Sequence, residues 1–181
     1  MENDEIEYHS KHNEENWKVS LIDTGLNTLK GARIKKVEKY LDQNINMITY
    51  GDGLSNININ KLVEFHKSHG KMITITGVNP PARFGELLEE DGVLLSFEEK
   101  PQTSVGLING GFMVFNKELL EYLTEDEDCD FEIGPLDILT ERREIMVYKH
   151  EGFWECVDHA RDITYLNKLW NENKAFWKVW D

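Results

Sequence analysis

Cysteine is scarce: Cys129 and Cys156 are the only two in 181 residues. One stands in an acidic stretch and the other in a distant apolar run, so they form neither a disulfide framework nor a four-ligand zinc pattern, and free thiols are expected. With 4 prolines and 13 glycines, collagenous and low-complexity architectures are excluded. No run approaches the roughly 18 uninterrupted apolar residues of a membrane span, and Met1-Glu-Asn-Asp-Glu-Ile-Glu7 is acidic where a signal peptide is basic and then apolar. A cytoplasmic chain with no membrane contact is expected. Positive charge is also in deficit, 20 Lys and Arg against 34 Asp and Glu, for a net charge of −14. Such a field repels polyphosphate backbones and anionic bilayers, which argues against nucleic acid as the main partner.

What is present belongs to a folded protein. The chain is 40% hydrophobic and 30% charged, and its length fits one domain of about 100–200 residues, here 1–181. Trp17-Lys-Val-Ser-Leu-Ile-Asp23 alternates as a strand does, and Ile34, Val37 and Leu41 fall at helical spacing. The uncharged Met47-Ile-Thr-Tyr50 run, stopped by Gly51-Asp52-Gly53, predicts a buried parallel strand ending in a loop. Asn58 or Asn60 can cap a helix that Gly70 closes, and Met72–Val78 is the next strand. This strand, helix, strand order is a βαβ unit. Further strands are expected at 93–98, 112–115, 145–148 and 153–157, with a hairpin turn at Glu90-Asp-Gly92 and helices near 117–123, 135–142 and 160–173. The fold class is therefore α/β, with a mixed, mainly parallel sheet and helices on both faces.

Four segments can carry chemistry. Asp52 lies just past the carboxyl end of a strand, where open α/β sheets bind ligands, between glycines that let a phosphate or metal approach the backbone; an Asx turn is the simpler reading of the tripeptide. Asp158 follows the apolar Phe153–Val157 run, and two such aspartates can share one hard divalent cation, or Asp158 can cap the last helix and pair with Arg161. In Ser96-Phe-Glu-Glu99-Lys100-Pro101 a strand delivers carboxylates and an ammonium into a proline-fixed turn, suited to a sugar phosphate or simply to solvent. Ile108-Asn109-Gly-Gly-Phe112 can offer amides to a polar ligand or form a glycine bulge. The tail Phe176-Trp-Lys-Val-Trp180 reads as packed or interface-seeking and leaves room for a homo-oligomer.

Taken in order, Trp17 through Thr24-Gly25, Thr49-Tyr-Gly-Asp-Gly53, Phe65-His-Lys-Ser-His-Gly70, Pro80-Pro-Ala-Arg-Phe-Gly85, Phe97-Glu-Glu-Lys-Pro101, Ile108-Asn-Gly-Gly-Phe112, Gly152-Phe-Trp154 with Asp158, and Trp177-Lys-Val-Trp180 resemble the sugar nucleotidyltransferase family. The Tyr-Gly-Asp-Gly, Pro-Pro-Ala-Arg-Phe-Gly and Trp-Lys-Val-Trp segments are similar to its cytidylyl branch. That resemblance implies a Rossmann-like nucleotidyltransferase fold and a reaction in which CTP and glucose 1-phosphate give CDP-glucose and pyrophosphate, for deoxysugars of surface polysaccharides. It implies Asp52 and Asp158 as holders of Mg²⁺, Lys100 on the sugar phosphate, and Glu99, Asn109 and Gly85 on sugar hydroxyls, with Arg83 as a further substrate contact. The family opens with a strand and a Gly-Gly-x-Gly-Thr-Arg triphosphate loop that have no counterpart in these residues, so the likeness is to its C-terminal two-thirds. His159 stands where the family's metal aspartate is followed by threonine. A fragment without activity that binds sugar phosphate or assembles with another chain is the alternative.

Overall fold

The computed structural model describes residues 18–80, 86–91, 93–98 and 106–180, with the backbone alone for 86–90, 93 and 96–98. A four-stranded sheet in the order β1-β6-β3-β7 positions everything else. Its strands are β1 (Ile45–Thr49), β3 (Ile73–Val78), β6 (Ile108–Asn116) and β7 (Ile145–His150). β6 runs antiparallel to both β1 and β3, while β3 and β7 pair in parallel. Three of the four strands therefore share one direction, and the sheet is mixed as expected, with two antiparallel ladders and one parallel ladder. The expected direct parallel partner of the Met47–Tyr50 run is corrected: β6 inserts between β1 and β3, so that β1 pairs antiparallel with β6 and is an edge strand among the described residues.

Alternation along β6 explains the two-sided core. Met113 and Phe115 face a cluster with Ile73, Leu119, Leu120, Phe131 and Leu139. Val114, pointing the other way, joins Ile57 and Leu62. Apolar residues on both faces of one strand need cover on both sides. The first face receives α1 (Lys30–Lys36), a 3-10 turn over Lys117–Tyr122, and α3 (Pro135–Glu141). The second receives α2 (Ile59–His69), whose cap is as local chemistry predicts: Asn58 Oδ1 accepts from Lys61 N at 3.0 Å, and Gly70 closes the helix at φ 66°. The hairpin β4 (Glu86–Glu90) and β5 (Val93–Glu98) turns through Asp91 at φ 48°. A short ribbon of β2 (Gly53–Ser55) and β8 (Trp154–Cys156) precedes α4 (Ala160–Asn171).

The strand expected over Trp17–Asp23 is a second correction. Residues 18–23 are not in a strand, and Val19 and Leu21 are 71% and 85% exposed. Trp17 lies outside the described residues. Alternation sets which way side chains point, but a strand also needs a neighbour to bond, and among the described residues none lies beside this stretch. Both cysteines are free thiols, as expected.

On the α2 face the buried polar groups close a ring. Lys71 N donates to His69 Nδ1 at 2.9 Å, which leaves the proton of that imidazole on Nε2, 2.7 Å from Thr74 Oγ1. Thr74 can then donate to His66 Nδ1 at 2.9 Å, His66 Nε2 to Asn116 Oδ1 at 3.1 Å, and Asn116 Nδ2 to the Lys71 carbonyl at 3.1 Å. Both imidazoles must be neutral for this direction to hold. Burial first, then the neighbouring His66 ring and Lys71, pull His69 below its ordinary value near 6.5. Lys71 is itself paired with Glu144 at 3.2 Å. Because the unfolded chain takes up protons first, this stability is present above about pH 6.5 and is lost as pH falls toward the folded value. Thermal melts between pH 7.5 and 5.5 should show that loss. Thr74→Val, which strands a nitrogen on each histidine, should cost about 1–3 kcal/mol at pH 7.5 and flatten the pH dependence. An unchanged slope in that variant would place the acid sensitivity elsewhere.

Candidate active site

The β2–β8 ribbon brings the two aspartates together. Its antiparallel register sets Gly53 opposite Cys156, and Val157 N donates to the Asp52 carbonyl at 2.9 Å. Asp52 and Asp158 therefore flank the same end of the ribbon. Cys156 Sγ donates to Asp158 Oδ2 at 3.2 Å. Burial, then that hydrogen bond, then the charges of Asp158, Asp52 and Glu155 push the Cys156 thiol up to about 11. One thiol thus senses both carboxylates. The helix that follows is fixed locally: Asp162 Oδ2 accepts from Asp158 N and His159 N at 3.1 and 2.8 Å. The residue at the cap position of α4 is His159 rather than Asp158, and Arg161 pairs with Asp162 at 3.7 Å.

The indole of Trp154, only 8% exposed, ties this ribbon to the main sheet by donating Nε1–H to the Gly110 carbonyl at 2.8 Å. Gly110 lies at the start of β6, beside Asn109, whose Oδ1 accepts from Gly111 N at 2.9 Å. Gly111 has φ 79°, and a Cβ there would come within 3.2 Å of the Tyr50 ring. Glycine meets both demands, a left-handed backbone and close approach of an aromatic face. Tyr50 N also donates to the Gly111 carbonyl at 3.0 Å, so the residue before Gly51-Asp52 is seated on β6.

Sequence reasoning assigned no role to the contacts around that tyrosine. Tyr50 OH donates to Glu132 Oε1, which also accepts from Lys30 Nζ at 2.6 Å, and Lys30 Nζ lies 5.4 Å from the Tyr50 ring centroid. Burial first, then the hydrogen bond and charge of Glu132, raise the Tyr50 phenol above its usual range, opposed by a hydrogen bond with Asn109. The residues of this cluster are 82 and 102 positions apart along the chain, so no local pattern could have grouped them.

Of the residues singled out from sequence, Asp52, Asp158 and Asn109 are gathered at the joined ends of the two sheets. Arg83, Gly85, Glu99 and Lys100 lie outside the described residues. Among the described residues, no group of three or more His, Cys, Asp or Glu could hold a metal ion. Two carboxylates are nevertheless the donor set Mg²⁺ takes from proteins, since it keeps several waters and binds phosphate oxygens directly. A pocket of about 230 Å³ among the ribbon, α4 and Trp177, walled by Leu54, Val157, Ile163, Leu166 and Trp170 with Asn167 as its one polar side chain, is mostly apolar and does not include the aspartates. No helix among the described residues is long and apolar enough to cross a membrane.

Comparison with known proteins agrees with this architecture. The family model described as Nucleotidyl transferase matches residues 3–175. The chain is 40% identical to a probable glucose-1-phosphate cytidylyltransferase of Bacillus subtilis, over 92% of this chain and 65% of that protein. It is also 40% identical to the glucose-1-phosphate cytidylyltransferase of Salmonella typhi, over 100% of this chain and 70% of that protein. The chain thus spans about two-thirds of the length of these relatives. Among solved structures, a putative glucose-1-phosphate thymidylyltransferase from Bacillus anthracis superposes with a TM-score of 0.55 at 15% identity, over 82% of this chain and 61% of that one. HddC from Yersinia pseudotuberculosis gives 0.56 at 22%, over 78% and 62%. At such identities the two structures speak for the fold alone, whereas the family match and the 40% relatives speak for descent: the chain belongs to the nucleotidyl transferase family.

Proposed function

We propose that this chain carries the metal-binding and sugar-phosphate-binding side of a glucose-1-phosphate cytidylyltransferase, the activity that joins CTP and glucose 1-phosphate into CDP-glucose with release of pyrophosphate. The observation that carries this reading is the hydrogen bond from Val157 N to the Asp52 carbonyl, which puts Asp52 and Asp158 at one end of the β2–β8 ribbon. The names of the 40% identical relatives support the choice of nucleotide and sugar. In this reading Asp52 and Asp158 hold Mg²⁺, which when bound supplies positive charge to phosphate oxygens. Lys100 neutralises the sugar phosphate, Glu99 and Asn109 accept from or donate to sugar hydroxyls, Gly85 lets the sugar approach the backbone, and Arg83 is a further contact. Little covalent work falls to the protein, because an in-line displacement at phosphorus is carried by positioning and charge neutralisation.

The test is titration of glucose 1-phosphate by calorimetry or NMR, with Mg²⁺, into the wild type and Lys100→Ala. Saturable binding by the wild type and its loss in the variant are expected. Equal affinities would remove Lys100 from the site, and absence of binding to the wild type would remove the sugar-phosphate reading.

A further inference from the structure

We infer that Glu132 is a positioning residue for the Asp52 turn, acting through Tyr50 and Lys30. The role rests on the site reading above and concerns how the site is held. Gly51-Asp52-Gly53 has no stiffness of its own: both flanking residues are glycines, and a Cβ at Gly51 would meet nothing within 4 Å. Its C-terminal side is pinned by the pairing of β2 with β8. Its N-terminal side depends on Tyr50, whose ring lies against Gly111 and whose hydroxyl is gripped by Glu132.

Glu132 is itself held firmly. Asp130 Oδ1 accepts from Glu132 N at 2.8 Å and from Ile133 N at 3.5 Å. These and related hydrogen bonds to Glu132 hold the Asp130 carboxyl below the usual range. Between them Phe131, 1% exposed, plugs the core. The Asx turn bends the chain, the phenylalanine anchors it, and Glu132 projects across the end of the sheet. One carboxylate oxygen then collects two donors from two other elements, the Tyr50 phenol and the Lys30 ammonium.

The other oxygen argues against a purely stabilising role. Glu132 Oε2 is buried and finds no hydrogen-bond donor among the described residues. A buried carboxylate oxygen left unpaired costs free energy that an apolar side chain of similar size would not, so stability alone does not favour a glutamate here. What the glutamate does supply is an oriented acceptor for the phenol of Tyr50, whose ring lies against Gly111, the residue hydrogen-bonded to Asn109 Oδ1. Removing it frees Tyr50 to turn, and Asn109 and the Asp52 turn lose a common support.

The experiment compares Glu132→Ala, Glu132→Gln, Tyr50→Phe and the double variant Glu132→Ala/Tyr50→Phe. The first readout is the NMR resonances of the Asn109 side-chain amide and of the Gly51, Gly53 and Gly111 backbone amides. The second is affinity for Mn²⁺ and for glucose 1-phosphate. Glu132→Ala should move those four sets of resonances and weaken Mn²⁺ binding about 10–100-fold, the usual effect of losing a residue that orients a ligand. Tyr50→Phe should match it, and the double variant should be no worse than either. Glu132→Gln, which keeps an acceptor oxygen for the phenol, should stay within about threefold of wild type, a rescue that a general packing role would not produce. Unmoved resonances in Glu132→Ala, or a glutamine variant as impaired as the alanine one, would overturn the assignment. If the wild type binds neither probe while the resonances still move, the site reading fails and the hold of Glu132 on the turn stands.

Discussion

On the proposed function, pyrophosphate release from CTP, glucose 1-phosphate and Mg²⁺ by these 181 residues alone is expected to be at least about 10²–10³-fold slower than by a version extended upstream with the strand and triphosphate loop that the family resemblance implies. The reason is both chemical and structural. Removing one donor to transition-state charge typically costs about 10²–10³ in rate, and a triphosphate loop supplies several. The register shows where a strand would add. Tyr50 N bonds to Gly111 O and Lys117 N to Asn44 O, so the even-numbered residues from 44 to 50 bond inward to β6. By the alternation of an antiparallel ladder, the N–H and C=O groups of Ile45, Met47 and Thr49 point outward. No strand among the described residues pairs with that edge. Nor does the edge carry the usual protection: Ile45-Asn-Met-Ile-Thr49 has no charge and no proline. The extended chain should therefore also be less prone to aggregate. Turnover by the short chain within tenfold of the extended one would show that nucleotide binding uses other residues.

Asp158→Asn and Asp52→Asn carry the second large effect. In the extended enzyme each should lower turnover by about 10²–10³ or more, because a single carboxylate cannot by itself fix the charge that an in-line displacement needs. Stability should respond in the opposite sense when no metal is present. Asp52 and Asp158 flank one end of the same ribbon, and like charges brought to one place do not favour folding. Neutralising either should leave the metal-free melting temperature equal or slightly higher. Adding Mg²⁺ at 100 times its Kd should stabilise the wild type by about 2.7 kcal/mol. The variants should lose most of that gain, and chelation should abolish it in the wild type. A Mg²⁺-induced shift of equal size in wild type and both variants would exclude this pair as the metal site.

Local chemistry accounts for what was legible before any tertiary contact was known. The helix from Ile59 to His69 was readable because a cap, an apolar face and a terminating glycine are all decided within a dozen residues. The β4–β5 hairpin and the strand ahead of Gly51-Asp52 were readable for the same reason. The motifs that announced the family are likewise contiguous stretches of chain. Strand partnership is different, because period-two alternation states which way side chains point and says nothing about the neighbour. The described part of the Trp17–Asp23 stretch alternates and pairs with no strand among the described residues, whereas β6, read only as one more strand, inserts between β1 and β3 and gives each of these parallel strands an antiparallel neighbour instead of the other. The same limit governed the site. Asp52 and Asp158 could each be suspected from a strand end, but only the β2–β8 register sets them side by side. The grip of Glu132 on Tyr50 and Lys30 had no sequence signal at all, since it joins three loop and helix ends through one carboxylate oxygen. Backbone propensity acts over a few residues, while a carboxylate meets its donors wherever the packed core happens to bring them.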